Sequence, residues 1–306
     1  MRRDRMDAAG AAALVGLALL FAGNQVSIKV VNGGFQPVFA AALRSVLAAA
    51  CIVLWMRARG IPMAIAPGTV PVGLWMGAAF AAEFVCLYIA LDHTTVTRAT
   101  VFMYTMPMWL AGAAHVLIPG ERITPLKAGG LALAFGGIVL AMTDRGSVPE
   151  GAEATLLGDG LAILAAMGWA AVALLARAAG GRGVSPEMQL LWMVVVSAPI
   201  LFLLAPAFGP FLRGPGALEI GVLLFQSSVI VAAGFLAWFW LLARYPAGSV
   251  ASFAFLSPVF GIALGWALLG EPVGPLLLAA GAAVAGGLVL INWPRAQVPQ
   301  KVRRTT

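Results

Sequence analysis

Two stretches of this chain repeat one pattern about 150 residues apart: "GERITPLKAGGLALAFGGIVLA" begins at Gly120 and "GEPVGPLLLAAGAAVAGGLVLI" at Gly270. Gly120-Glu121 matches Gly270-Glu271, and Gly136-Gly137 matches Gly286-Gly287, at one constant offset. Further upstream, "FAGNQVSIK" aligns with "WAAVALLAR", setting Phe21 on Trp169 and Lys29 on Arg177. A chain written as two copies of one unit must fold as two copies of one unit. Its function has to arise from how they meet.

The medium in which they meet follows from composition. Hydrophobic residues make up 61% and charged residues 10% of the chain, with a mean hydropathy of +0.96. Soluble domains carry about 25% charged residues, so this is an integral membrane protein. Ten apolar segments approach the ~20 residues that cross a hydrocarbon core. The first five run near Ala8 to Lys29, Phe35 to Met56, Thr69 to Leu91, Thr94 to Ile118 and Thr124 to Thr143. The second five run near Thr155 to Ala178, Pro186 to Phe208, Leu218 to Ala243, Ala247 to Leu269 and Pro275 to Trp293. The breaks carry turn residues or charges, such as Asn32-Gly33-Gly34 and Pro206 to Pro215. Arg2, Arg3 and Arg5 precede the first run, but its apolar stretch exceeds a signal-peptide core, and it reads as a retained helix.

Five spans per copy is an odd number, so the second copy enters the membrane from the opposite side. The expected fold is all-α, with ten transmembrane helices as two inverted five-helix repeats. We expect residues 1–145 and 155–293 to form the repeats and residues 294–306 a basic cytoplasmic tail. Such repeats put a substrate site near the midplane and operate by alternating access.

The net charge of +7 has a topological explanation. With the N-terminus inside, cytoplasmic segments hold 14 Lys and Arg residues against 4 on the other face, with Arg44 in mid-span. That follows the positive-inside rule. Both termini are therefore expected in the cytoplasm, with the protein multi-pass in a bacterial inner membrane. The cations are not a nucleic-acid footprint. Cys51 and Cys86 fall inside spans and read as packing residues.

Ionisable groups inside a membrane are functional candidates by default. Arg44 in span two and Glu83 in span three sit at matching depths, roughly 12 to 13 Å from the outer face at about 1.5 Å per residue. We expect them to meet as a charge pair, acting as a lock, a gate or a clamp for a zwitterion. Span four is the most irregular, with Thr97, Tyr104, Thr105, Pro107 and His115 inside it. Pro107 removes one backbone hydrogen bond, and Pro258 repeats the device in span nine, marking both as hinge candidates. Tyr104 and His115 stand about three turns apart and so share a face. Trp169 lies near mid-depth, whereas Trp192, Trp238, Trp240 and Trp293 read as interface anchors. Asn24 and Gln226 are amides at membrane depth. Tyr104, Trp169, Glu83, Asn24, Met108 and Gln226 make up the candidate substrate cavity. Spans five and ten, with Gly129, Gly130, Gly136, Gly137, Gly281, Gly286 and Gly287, read as a close-packed scaffold pair.

A "G-E" after an apolar span, followed by a Gly-rich span, twice in ten helices, resembles the EamA-type branch of the drug/metabolite transporter superfamily. Phe21-Ala22-Gly23-Asn24 through Lys29 is similar to that family's Trp-Gly-x-Asn run ending in Lys, departing at its first two residues. Arg44 in "AALRSVLAAA" is also typical of it. "EFVCL" from Glu83 and "YTMP" from Tyr104 resemble the corresponding stretches of YddG-type exporters of aromatic and other neutral amino acids, with Met106 standing where an aromatic is expected.

The expected function is export of small neutral organic metabolites, amino acids first, with protons left open as a coupling ion. The expected partners are a small-molecule substrate and the lipid bilayer. No ATPase subunit and no cofactor are called for, since the sequence contains no Walker-type "GxxxxGK[ST]" run. A multidrug exporter of hydrophobic cations is the alternative. An intramembrane enzyme is the reading from another class. It fails for want of a constellation, with only His93 and His115 as histidines, no zinc-ligand cluster and no paired mid-span aspartates.

Overall fold

The computed structural model describes residues 7–119, 123–144, 156–245 and 256–291. Spans one to three are single helices: α1 (Ala8–Gly34), α2 (Pro37–Ala58) and α3 (Val70–His93). Span four is two helices, α4 (Val96–Met103) and α5 (Met106–Leu117), and span five is α6 (Pro125–Thr143). In the second repeat α7 (Leu156–Gly180) and α8 (Pro186–Leu204) are followed by a 3-10 turn over Ala205–Phe208. Span eight consists of α9 (Ala217–Phe225), a π-helical segment over Gln226–Gly234 and α10 (Phe235–Arg244). Spans nine and ten are α11 (Leu256–Leu269) and α12 (Pro275–Ile291). The start of span nine, Glu121 of the repeated Gly-Glu pair, Trp293 and the basic tail lie outside the described residues.

Helix starts follow ordinary capping chemistry. Asp7, Gln36, Thr95, Thr124 and Ser185 each accept a hydrogen bond from a backbone N–H in the first turn of the helix they precede. Proline occupies the first turn of α2, α3, α5, α6 and α8, where its missing N–H costs nothing.

The packing obeys the inverted repeat. Span three packs on span six, and its counterpart, span eight, packs on span one; span two meets span seven, four meets nine, and five meets ten. Exchanging each span with the one five places later leaves this set of contacts unchanged, as a pseudo-two-fold axis in the membrane plane requires. Spans five and ten meet through glycine. A Cβ on Gly130 would fall 2.7 Å from the Gly287 carbonyl oxygen, and one on Gly287 would fall 2.6 Å from that of Gly130. Gly137 sits equally close to Ala280. Gly129 and Gly136 face open space, so only one stripe of the expected glycine set makes the seam.

The repeated Gly-Glu acquires a physical meaning at Gly270-Glu271. Gly270 ends α11 with a φ of +65°, a left-handed conformation that favours glycine. Glu271 then turns its carboxylate onto the start of α4, taking the Val96 N–H at 2.7 Å and the Thr97 N–H at 2.8 Å. A loop of the second repeat thus caps a helix of the first, in the charge sense the helix dipole favours.

Candidate functional site

Span four breaks at Tyr104-Thr105, roughly 12 Å in from the start of α4 by helical rise. The Thr105 hydroxyl donates to the Phe102 carbonyl at 2.6 Å and accepts the Trp109 Nε1–H at 3.1 Å. Pro107 is not a kink inside one helix, as its position suggested. It stands in the first turn of α5, after the break. The interruption also ends the face shared by Tyr104 and His115: Tyr104 is buried and His115 is exposed. All eight residues of α4 are buried, whereas only Met108 and Ala114 are buried in α5. The proline spans meet, since a Cβ on Gly261 of α11 would strike the Thr100 side chain of α4. Pro258 lies buried three residues before that crossing.

At the break the Tyr104 ring packs edge-on against Trp169 of α7, with centroids 6.0 Å apart and planes at 71°. The Tyr104 hydroxyl reaches Ser257 of α11. A second junction is built from amides. Gln226 Nε2 donates to Asn24 Oδ1 at 2.9 Å, while Gln226 Oε1 accepts from the Tyr88 hydroxyl at 2.9 Å. One side chain therefore ties span one, span three and the π segment of span eight. Thr100 of α4 donates to Gln25 Oε1 at 2.6 Å, so the adjacent amides of α1 reach two different spans.

Sequence reasoning missed the π segment. Its signal is Ser227-Ser228, whose hydroxyls bond back to the Leu223 and Leu224 carbonyls at 2.7 and 2.6 Å and compete with the regular helical ladder there. Tyr88 was missed because its apolar surroundings hide the hydroxyl's role. Two of the expected interface anchors also pack within the bundle: Trp192 lies over Gly73 of α3, and Trp238 packs on Phe21. Trp240 is exposed.

The expected Arg44–Glu83 ion pair does not form. The Arg44 guanidinium lies over the Phe84 ring at 3.5 Å from its centroid, with Phe80 and Tyr88 at 5.6 and 5.5 Å. Glu83 precedes Phe84 and so points about 100° away around the helix. Its backbone packs on Gly168 of α7, where a Cβ would lie 3.0 Å from Glu83 Cα. Arg44 Nε and Nη2 and Glu83 Oε2 have no hydrogen-bond partner.

Two ion pairs of the described residues lie at the end of the bundle bearing the α3–α4 turn. Arg98 Nε and Nη2 donate to the two oxygens of Asp159, and Nη1 donates to the Asp144 carbonyl. Thr94 Oγ1 donates to Asp159 at 2.9 Å, and Lys29 Nζ donates to the Leu91 and Thr94 carbonyls at 2.6 and 3.0 Å. In the loop before α9, Arg213 bridges to Asp92 through two bonds of 2.8 Å, and that carboxylate holds the guanidinium pKa above its ordinary value. With the Glu271 cap, these bonds tie the ends of spans one, three, four and six to the loops before α9 and α12. At the opposite end a cavity of about 260 Å³ lies between the chain before α3 and the α7–α8 turn, lined by Ile61, Thr69, Val184 and Trp192 among others. None of the candidate site residues lines it. Among the described residues no cluster of three or more His, Cys, Asp or Glu side chains is arranged to hold a metal.

The chain matches the EamA-like transporter family model over residues 8–143 and 156–293. It is similar to a protein of Pseudomonas aeruginosa, 31% identical over 233 residues, covering 75% of this chain and 76% of the other. It is also similar to YvbV, an uncharacterized transporter of Bacillus subtilis, at 28% identity over 67% of this chain and 65% of the relative. An Archaeoglobus fulgidus transporter is 24% identical over 79% of this chain and 83% of its own. A crystal structure superposes with a TM-score of 0.67 over 92% of this chain and 97% of the other at 19% identity, a likeness of fold. With both halves matched, the chain belongs to the EamA-like transporter family.

Proposed function

We propose that this transporter exports small neutral organic metabolites, amino acids foremost, across a bacterial inner membrane by alternating access between its inverted halves. The observation that carries this reading is the junction at the break in span four. The aromatic pair Tyr104–Trp169 there, and separately the amide relay Asn24–Gln226–Tyr88, each join side chains of the two repeats. An aromatic wall with neutral hydrogen-bonding groups suits a ligand without net charge. The broken span four and the π segment of span eight supply irregular backbone where a membrane protein tolerates it, beside a ligand path. By the positive-inside rule the end bearing Thr94, Asp159 and Glu271 faces the periplasm, both termini face the cytoplasm, and the ionic lattice at the Thr94 end closes the outer side.

The cation reading draws support from one finding. Glu83 Oε2 is buried without a hydrogen-bond partner, which leaves a carboxylate oxygen for a cation to meet. Purified protein in liposomes, loaded with labelled phenylalanine, tryptophan, methionine or threonine, tests both readings. Amino acid efflux above protein-free vesicles supports the first. Flux of a lipophilic cation in its place supports the second.

A further inference from the structure

Among the described residues, four buried side-chain polar atoms lack a hydrogen-bond partner: Asn32 Oδ1, Arg44 Nε, Arg44 Nη2 and Glu83 Oε2. Two of the four belong to one guanidinium. Arg44 is 1% exposed, well inside α2. Its flat face is occupied, since Cζ stands 3.5 Å from the Phe84 centroid with two further aromatic rings behind. Stacking uses the π face and leaves the in-plane N–H groups unpaired. Nε–H and Nη2–H lie along the same edge, spaced to meet both oxygens of one carboxylate.

Arg98 shows what a purely structural arginine looks like in this protein. It is equally enclosed, and its Nε, Nη1 and Nη2 are all bonded. A membrane interior offers little water to make up a missing acceptor, so an arginine kept charged and half unpaired is poised for something that arrives. The next residue, Ser45, accepts from the Ser197 hydroxyl at 3.0 Å, which pins α2 to α8 beside it. The rings that hold the guanidinium plane all come from α3.

We propose that the Nε–Nη2 edge of Arg44 is the carboxylate anchor for the transported ligand, with Phe84, Phe80 and Tyr88 fixing its plane. This rests on the amino acid reading and narrows it to ligands with a free carboxylate on an apolar or aromatic body. The anchor is enclosed in this state, and ligand reaches it when α3 moves against α2, as alternating access requires.

The test is binding by isothermal calorimetry to the purified full chain, using four probes of one shape: phenylalanine, phenylacetate, phenylalaninamide and phenethylamine. The expected result is phenylalanine binding at least about ten-fold tighter than phenylalaninamide and phenethylamine, the two probes that lack a carboxylate. Arg44→Lys keeps the charge but loses the paired edge, so it should weaken phenylalanine by about ten-fold or more. Phenethylamine binding as tightly as phenylalanine, unchanged phenylalanine binding in Arg44→Lys, or no binding of any probe would overturn the anchor. The first needs no variant and decides the matter even if Arg44→Lys does not fold. Phenylacetate separates the two claims: Arg44-dependent binding of phenylacetate without phenylalanine keeps the anchor and removes the amino acid reading. Phenylalanine binding that ignores Arg44→Lys removes the anchor and keeps the reading.

Discussion

Arg98 and Asp159 are 3% and 1% exposed, and each is bonded to the other by two contacts. Removing one partner strands a charge in a low-dielectric interior, which typically costs about 3 to 5 kcal/mol. Arg98→Ala or Asp159→Ala should therefore lower stability in a detergent unfolding assay by that order. Replacing both with apolar residues of similar volume should recover much of the loss. Asp92 and Arg213 offer the contrast. They also make a bidentate pair, through Nη1 and Nη2 of Arg213, but at 24% and 39% exposure. Asp92→Asn should cost less than about 1 kcal/mol in the same assay, because solvent screens an exposed pair. The residue scale is also where the sequence misled most. Arg44 and Glu83 were matched by depth alone, yet the residue after Glu83 is an aromatic whose ring takes the flat face of the guanidinium instead. Asp159 and Arg98 were each visible as charges near span ends, but nothing in their spacing showed that they meet.

At the scale of elements, the α6–α12 seam and the cap on α4 allow direct tests. Gly130→Leu or Gly287→Leu drives a side chain into a backbone carbonyl that a Cβ alone would already approach within 2.7 Å. Neither helix can yield without opening the seam, so size-exclusion chromatography should show loss of the monodisperse species. Gly129→Ala and Gly136→Ala meet nothing within 4 Å and should fold as wild type or slightly better. Glu271→Ala removes the acceptor for two buried N–H groups and should destabilise by about 1 to 2 kcal/mol, read by thermal unfolding. The scaffold role of spans five and ten was legible because glycines recur there at helical spacing. Which stripe makes contact was not, because periodicity fixes a face only relative to its own helix. The π segment was invisible for a related reason: hydropathy runs straight through Gln226–Gly234, and the disturbance lies in two serine hydroxyls.

Over the whole molecule, ten spans and an inverted duplication could be read from the chain because membrane length and an odd span number leave few alternatives. The meeting of Tyr104 with Trp169 across spans four and six was harder to foresee, since each was chosen for depth and chemistry without a known partner. The bonds that join the two repeats at one end of the bundle emerge only in three dimensions. At the end bearing the α3–α4 turn, Arg98–Asp159, the Lys29 bonds and the Glu271 cap join spans and loops of both repeats. The proposed alternating access calls for a measurement that a channel and a carrier answer differently. In liposomes containing the purified protein, unlabelled phenylalanine inside should accelerate entry of labelled phenylalanine from outside, because a carrier returns loaded faster than empty. Trp169→Ala should abolish that stimulation. Entry that rises linearly with concentration and ignores the internal amino acid would contradict alternating access between the inverted halves.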